Sequence, residues 1–212
     1  ALHLIANPKA TVDELMELSR IELGGERINE TVRVAELVRR AVDRVSEIAV
    51  HHGITIEVAS SEESGDDTAG PIAVSGDSRQ LISAIGNIVE NAVKYSEPGS
   101  QVTVGTALRR DSVEISVVDH GVGIPQRDLD RIFERFYRVD RARQRSTGGS
   151  GLGLSIVRHV VTNHDGEVVV SSTEGEGSTF VVRLPRAHVS VSPGASAAAV
   201  PHPEGVSCGN PL

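Results

Sequence analysis

Five side chains between Leu81 and Tyr95 have types and a spacing that can do chemistry: Asn87, Glu90, Asn91, Lys94 and Tyr95. At about 100° per residue on an α-helix they share one arc of roughly 140°, while Leu81, Ile82, Ile85, Val89, Ala92 and Val93 gather opposite. Scattered Lys and Glu would serve solubility alone. Two carboxamides one turn apart, followed by an amine and a phenol, instead offer an oxygen ligand for a hard cation and a charge for phosphate. Taken alone, the stretch is equally readable as a surface helix whose polar side happens to contain Asn.

Three later stretches add to it. In DHGVGIP, Asp119 to Pro125, Gly121 and Gly123 stand beside an acid at a strand end. There the backbone can approach a flat ligand while the carboxylate accepts from an N–H, although Gly-x-Gly alone also fits an ordinary turn. From Arg127 to Arg145 seven Arg stand among four acids, and Phe133 and Phe136 lie one helical step apart, so they can share a face. This segment reads as a basic surface helix, or as a lid whose arginines meet phosphate and whose rings pin it shut. Gly149, Gly151 and Gly153 then open a helix with Leu154, Ile156, Val157, Val160 and Val161 on its apolar face. A Gly-rich loop at a helix start presents free N–H groups and the positive end of the dipole to an anion. It lacks the Lys of a Walker A motif, and its spacing does not suit a Rossmann fingerprint.

The elements that must hold these residues follow from periodicity. A short amphipathic helix is expected over Thr11 to Glu22, stopped by Gly24-Gly25, and ERINETVRV can supply a first strand. Ala35 to His52 reads as a helix burying Leu37, Val38, Ala41, Val42, Val45, Ile48 and Ala49, closed by Gly53, with a strand from Ile54 to Ala59. The adjacent His51 and His52 point about 100° apart and have no partner at ligand spacing, so they make a solvated helix end and not a metal site. SSEESGDDTAG, four acids and no base, reads as a mobile surface loop. PIAVSGD supplies a short strand, and Asp77 or Ser78 caps the helix that carries Asn87. Gln101 to Leu108 and Ser112 to Asp119 alternate as an antiparallel hairpin; Glu167 to Ser172 and Ser178 to Pro185 make another around a Gly-rich turn.

With 212 residues, 39% hydrophobic and 24% charged, the chain supports one main domain. Aromatics are only 2%, so Val, Ile, Leu and Ala must build the core, and Tyr95, Phe133, Phe136, Tyr137 and Phe180 all lie in or beside the stretches above. A net charge of −8 argues against general nucleic-acid affinity. The single Cys208 precludes an internal disulfide and suits a reducing compartment. No apolar run approaches the ~20 residues of a membrane span, and the start is not a signal peptide. A soluble, cytoplasmic chain is expected, and the absent initiator Met suggests a fragment or processed form. Beyond Arg186 four prolines among Ala, Ser and Gly suggest a disordered tail.

The four stretches, in this order, resemble the ATP-binding catalytic domain of bacterial sensor histidine kinases, in the wider group that includes gyrase, Hsp90 and MutL. Asn87-x-x-x-Asn91-Ala-x-Lys94-Tyr95 resembles the family's N box, Asp119-x-Gly121-x-Gly123 its G1 box, Phe133-x-x-Phe136 its F box and Gly149-x-Gly151-Leu152-Gly153 its G2 box; Gly177-Ser178-Thr179-Phe180 resembles a closing Gly/Thr element. The likeness covers roughly Asn29 to Pro185. It divides the chain into a dimerisation-helix remnant over 1–25, the catalytic domain over 26–186 and the tail over 187–212.

The resemblance implies an α/β (α+β) two-layer sandwich of the Bergerat type, a mixed sheet backed by helices, with ATP under a flexible lid. It implies Asp119 on the adenine amine, Thr179 supporting that contact through water, and Tyr95 and Ile124 near the base. Asn91 would hold Mg²⁺ on the phosphates with Asn87 nearby; Lys94, Arg138 and the Gly149 to Gly153 backbone would meet phosphate oxygens, with Glu90 assisting the metal or proton transfer. These roles suit phosphoryl transfer, which depends on alignment and charge neutralisation. Hydrolytic relatives typically carry Glu where Asn87 stands, and an amide cannot serve as that base; the chain resembles a transferase more than an ATPase.

Glu14 to Gly24 resembles the end of the second helix of a dimerisation hairpin, but no His is followed by the Glu/Asp-Leu-Arg-x-Pro pattern of a phosphoacceptor. The implied partners are therefore a His-bearing dimerisation domain and a response regulator, in a homodimeric, membrane-anchored parent whose style is similar to the PhoR-like, phosphate-sensing kinases. Two other readings compete: a non-catalytic nucleotide-binding module, kept open by the missing acceptor, and an anti-sigma-factor serine kinase of the same fold, disfavoured by the SRIE helix and the FERF segment.

Overall fold

A computed structural model of the chain describes residues 29–60, 72–139 and 149–187. The expected helix over Thr11 to Glu22, the acidic loop after Ser60 and the tail beyond Ala187 lie outside the described residues.

Among the described residues, seven strands and three α-helices are built from the apolar periodicities of the sequence. Strand β1 (Glu30–Arg33) leads into helix α1 (Val34–His52), and β2 (Thr55–Ser60) and β3 (Ala73–Gly76) precede helix α2 (Ser78–Tyr95). The hairpin β4 (Gln101–Leu108) and β5 (Ser112–Asp119) follows, then helix α3 (Gly153–Asn163) and the hairpin β6 (Glu167–Thr173) and β7 (Gly177–Pro185). The five-stranded sheet has the order β2-β4-β5-β7-β6. Only β2 and β4 run parallel, so the sheet is mixed as expected. Strand β3 does not join it: β3 pairs antiparallel with β1 in a separate two-stranded ribbon, and Val74 bridges to Arg186, the residue after β7.

Alternation along β5 and β7 sends Val113, Ile115, Val117, Phe180, Val182 and Leu184 to the helix side, where they meet the buried stripes of all three helices. Helix α1 ends at Gly53, whose left-handed φ of 68° lets its N–H reach the carbonyls of Ala49 and Val50. Helix α2 begins under Asp77, whose carboxylate accepts from the N–H groups of Arg79 (2.9 Å) and Gln80 (3.3 Å).

The start of α2 is tied to the end of α3 by His164. Its Nε2 accepts from the Asp77 N–H at 3.0 Å, and its Nδ1 lies 2.7 Å from the Val160 carbonyl, a pair of contacts that assigns the ring proton to Nδ1. The ring lies against Gly76, where a Cβ would come within 2.1 Å of His164 Cδ2. The two site-bearing helices are thus held in one frame by residues 87 positions apart.

The segment from Gln126 to Val139 corrects the sequence reading. After a short 3-10 turn (Gln126–Asp128) it continues as consecutive turns and not as a helix. Phe136 takes a left-handed φ of 61° and donates its N–H to the Gly151 carbonyl at 2.9 Å, which ends any helical path. Phe133 and Phe136 therefore do not share a face: Phe133 is 8% exposed and belongs to the core, whereas Phe136 is 61% exposed.

Candidate functional site

A cleft of about 520 Å³ opens between the C-terminal half of α2, the loop after β5, the Gln126 to Val139 turns, the glycine loop before α3 and the turn end of the β6–β7 hairpin. Asn87, Glu90, Asn91, Lys94 and Tyr95 all line it, because the polar arc of α2 faces away from the core. Glu90 and Lys94 are ion-paired at 2.5 Å, one helical turn apart. Asn87 has a buried side-chain nitrogen with no hydrogen-bond partner, a donor that an incoming oxygen would satisfy.

Asp119 also lines the cleft, buried at 6% exposure. Its Oδ1 accepts from the N–H of Gly121 (2.9 Å) and of Ser178 (3.2 Å). Burial nevertheless dominates and raises its carboxyl above the ordinary range, against those two backbone donors and the neighbouring His120. The loop after it is threaded between two backbones. A Cβ on Gly121 would come within 2.2 Å of the Tyr95 carbonyl oxygen, and one on Gly123, at φ 66°, within 2.0 Å of the Thr173 carbonyl oxygen. The Ser172 hydroxyl accepts from Ile124 N–H (2.8 Å) and donates to the Gly177 carbonyl (2.7 Å), while Gly175 N–H donates to Val122 (2.8 Å). Gly123 and Ile124 line the cleft.

Of the other expected residues, Arg138, Gly149, Gly151 and Gly153 line the cleft, the last at the start of α3 and beside Asn87. Leu152 does not; it is fully buried, and the Ser150 hydroxyl accepts its N–H at 3.1 Å. Gly121, Phe133 and Phe136 also lie outside the lining. Gly121 acts through the backbone donor it gives Asp119, and Phe133 through the core, with the Arg158 guanidinium 5.7 Å above its ring.

Thr179 is a correction. In the β5–β7 ladder Asp119 stands opposite Ser178, and Thr179 opposite Val118. Side chains alternate along a strand, so Ser178 and Phe180 reach the cleft and Thr179 faces the other side of the sheet. Arg127 and Tyr137 of the expected lid segment line the cleft, and so does Glu174, which sequence reasoning passed over. The register opposite Asp119 was the available signal for Ser178; for Glu174, brought in by a turn, local pattern carries none.

Among the described residues no group of three or more His, Cys, Asp or Glu could hold a metal ion, and no helix is long and apolar enough to cross a membrane. The donor set does fit a nucleotide: a desolvated carboxylate, a lysine and an arginine, a glycine-opened helix and a buried unpartnered amide gather around one cleft.

A helix-backed mixed sheet with this cleft defines a class of nucleotide-binding ATPase-type domains, and residues 76–188 match the family described as "Histidine kinase-, DNA gyrase B-, and HSP90-like ATPase". The chain belongs to that family, whose members bind ATP. Within it the similarity is to sensor histidine kinases. The chain is 45% identical over 176 residues to the sensor-like histidine kinase SenX3 of Mycobacterium tuberculosis, an alignment spanning 82% of this chain and 41% of SenX3. The solved mycobacterial sensor histidine kinase MprB superposes with a TM-score of 0.63 at 32% identity, over 75% of this chain and 98% of that one. Full-length ShkA in complex with AMPPNP superposes with a TM-score of 0.69 at 28% identity, over 84% of this chain and 35% of ShkA.

Proposed function

We propose that this domain binds Mg²⁺·ATP in the cleft and transfers the γ-phosphoryl group to a histidine on a dimerisation domain, from which a response-regulator aspartate receives it. The observation that carries the reading is the convergence on one cleft of buried Asp119 with Lys94, Arg138 and the start of α3. Asp119, its Oδ1 already engaged by two backbone donors, keeps acceptor capacity for the adenine amine. Tyr95, Ile124 and Phe180 supply apolar surface for the base. The glycine loop from Gly149 to Gly153 at the start of α3, with Lys94 and Arg138, meets the phosphates. Asn91 would hold a Mg²⁺, which would supply charge neutralisation to the phosphates. Asn87 orients phosphate through its amide and, lacking a carboxylate, does not activate water. Phosphoryl transfer then proceeds by alignment on a partner histidine. Similarity to sensor kinases, among them full-length ShkA in complex with AMPPNP, supports this reading, in which the parent is a membrane-anchored homodimer with this domain on the cytoplasmic side.

The test is incubation with Mg²⁺ and γ-labelled ATP, with and without a dimerisation-domain fragment bearing a phosphoacceptor histidine, with Asn91→Ala as control. Acid-labile label on the added fragment, lost in the variant, is the expected result. ATP binding without label on any acceptor would favour a regulatory nucleotide-binding module, and no ATP binding would overturn the reading.

A further inference from the structure

Arg138 reaches the cleft from a stretch of turns and not from a helix or strand, so something must hold its backbone in place. Among the described contacts, three hydrogen bonds hold the chain just before it. The Phe136 N–H donates to the Gly151 carbonyl at 2.9 Å, the Tyr137 N–H to the Glu134 carbonyl at 3.3 Å, and the Tyr137 hydroxyl to Asp128 Oδ1 at 2.6 Å. Only the third depends on a side chain. Asp128 is a poor choice for mere packing: it is 6% exposed, its Oδ2 is buried without a hydrogen-bond partner, and the nearest cation, Arg127 Nε, stands 3.7 Å away. A carboxylate so placed costs stability unless its one strong donor returns something. The Arg131 guanidinium covers the opposite side, 4.2 Å from the Tyr137 ring centroid. Tyr137 is thus gripped at hydroxyl and ring while its edge lines the cleft beside Arg138. The hydrogen bond to the carboxylate also holds the phenol proton more tightly than usual.

We propose that Asp128 and Tyr137 form a clasp that positions Arg138 against the phosphate end of the cleft, making both positioning residues for nucleotide triphosphate binding. The inference rests on the ATP reading above. The clasp acts through Arg138 and not on the base, because Asp119 is held by the loop after β5 and by β7, and no described hydrogen bond joins it, Gly121 or Ser178 to either clasp residue. Its signature is therefore selective: loss falls on ligands with a phosphate chain long enough to meet Arg138, and only when Arg138 is present.

The experiment is calorimetric titration of the whole chain with Mg²⁺·ATP and with AMP, for the unaltered protein, Tyr137→Phe, Asp128→Ala, Asp128→Asn, Arg138→Ala and the Tyr137→Phe/Arg138→Ala double variant. Tyr137→Phe keeps the ring and its Arg131 contact, removing only the hydroxyl. Loss of one hydrogen bond to a charged acceptor predicts ATP binding weakened about tenfold, with AMP changed less than about twofold. Asp128→Ala should match it, whereas Asp128→Asn, whose amide oxygen still accepts from the phenol, should restore most of the affinity. In the Arg138→Ala background the Tyr137 effect should vanish. Equal losses for ATP and AMP, or a Tyr137 effect undiminished without Arg138, would overturn the clasp while leaving ATP binding intact. Failure of the unaltered protein to bind ATP would instead remove the nucleotide reading, and the clasp with it.

Discussion

Asp119→Asn separates what the cleft needs from what the fold needs. The substituted amide keeps an oxygen where Oδ1 now accepts from Gly121 and Ser178, so both backbone donors stay satisfied. It replaces the other carboxylate oxygen with a donor, and two donors then face each other if the ligand is an adenine amine. Loss of a hydrogen bond to a charged acceptor is about 1.5–3 kcal/mol, which predicts ATP affinity falling about 10- to 150-fold. Inosine triphosphate, which carries an acceptor where adenine has its amine, should lose far less.

Stability should move the other way. Burial lifts this carboxyl above its ordinary 3.8, so between the ordinary value and the raised one the folded state binds more protons than the unfolded chain. Stability of the nucleotide-free protein therefore falls as pH rises through that window, and the ionised, desolvated group remains unfavourable at neutral pH. Asp119→Asn removes the titration, and its Tm at pH 7 should exceed that of the unaltered protein while the two converge in acid. Calorimetric titration with both nucleotides, and thermal melts across pH, read the two effects. Unchanged ATP affinity, or a nucleotide-free variant less stable than the parent at neutral pH, would refute the account of this carboxylate.

Other perturbations test the frame around the cleft. Gly123→Ala places a methyl 2.0 Å from the Thr173 carbonyl oxygen on a backbone at φ 66°, and a loss of about 2 kcal/mol or more is expected from urea unfolding. Phe133→Ala should cost about 3–5 kcal/mol, as for a core phenylalanine. Phe136→Gly, at an exposed left-handed position, should stay within about 1 kcal/mol of the parent; similar losses for the two would contradict their opposite placements. Glu114 is bonded to Arg109 and Arg183 at 2.9 Å each, contacts that hold its carboxyl below the ordinary range. Its contribution is present above the ordinary value and lost as pH falls through the lowered one. Glu114→Gln should flatten the acid limb of the stability profile by a small amount, and high salt should erase the difference because both arginines are well exposed.

Much of this arrangement was legible in the residues because it depends on local periodicity. The two faces of α2, the β4–β5 and β6–β7 hairpins and the left-handed stop at Gly53 each follow from side-chain order within one element, where 3.6- and 2-residue repeats assign every residue a side. Asn87, Asn91, Lys94 and Tyr95 share the cleft for that reason, and Asp119 with Gly123 joins them from the end of an adjacent strand.

The turns between Gln126 and Val139 did not follow. Phe133 and Phe136 have helical spacing, but a backbone hydrogen bond to Gly151 across the cleft outweighs it. Nor did Thr179, since which of two neighbours on β7 faces the ligand depends on register against Asp119, 59 residues before Ser178. By itself the chain determined its helices, its strands and the identity of the groups that could meet a nucleotide, all set by interactions within a few residues. Only the tertiary structure decided that β3 pairs with β1, that His164 locks α3 to α2, that Ser178 is Asp119's donor and that Tyr137 grips Asp128. Most of these contacts join residues far apart in sequence, and the Tyr137 grip depends on how consecutive turns fold back, which no repeat of side-chain types encodes.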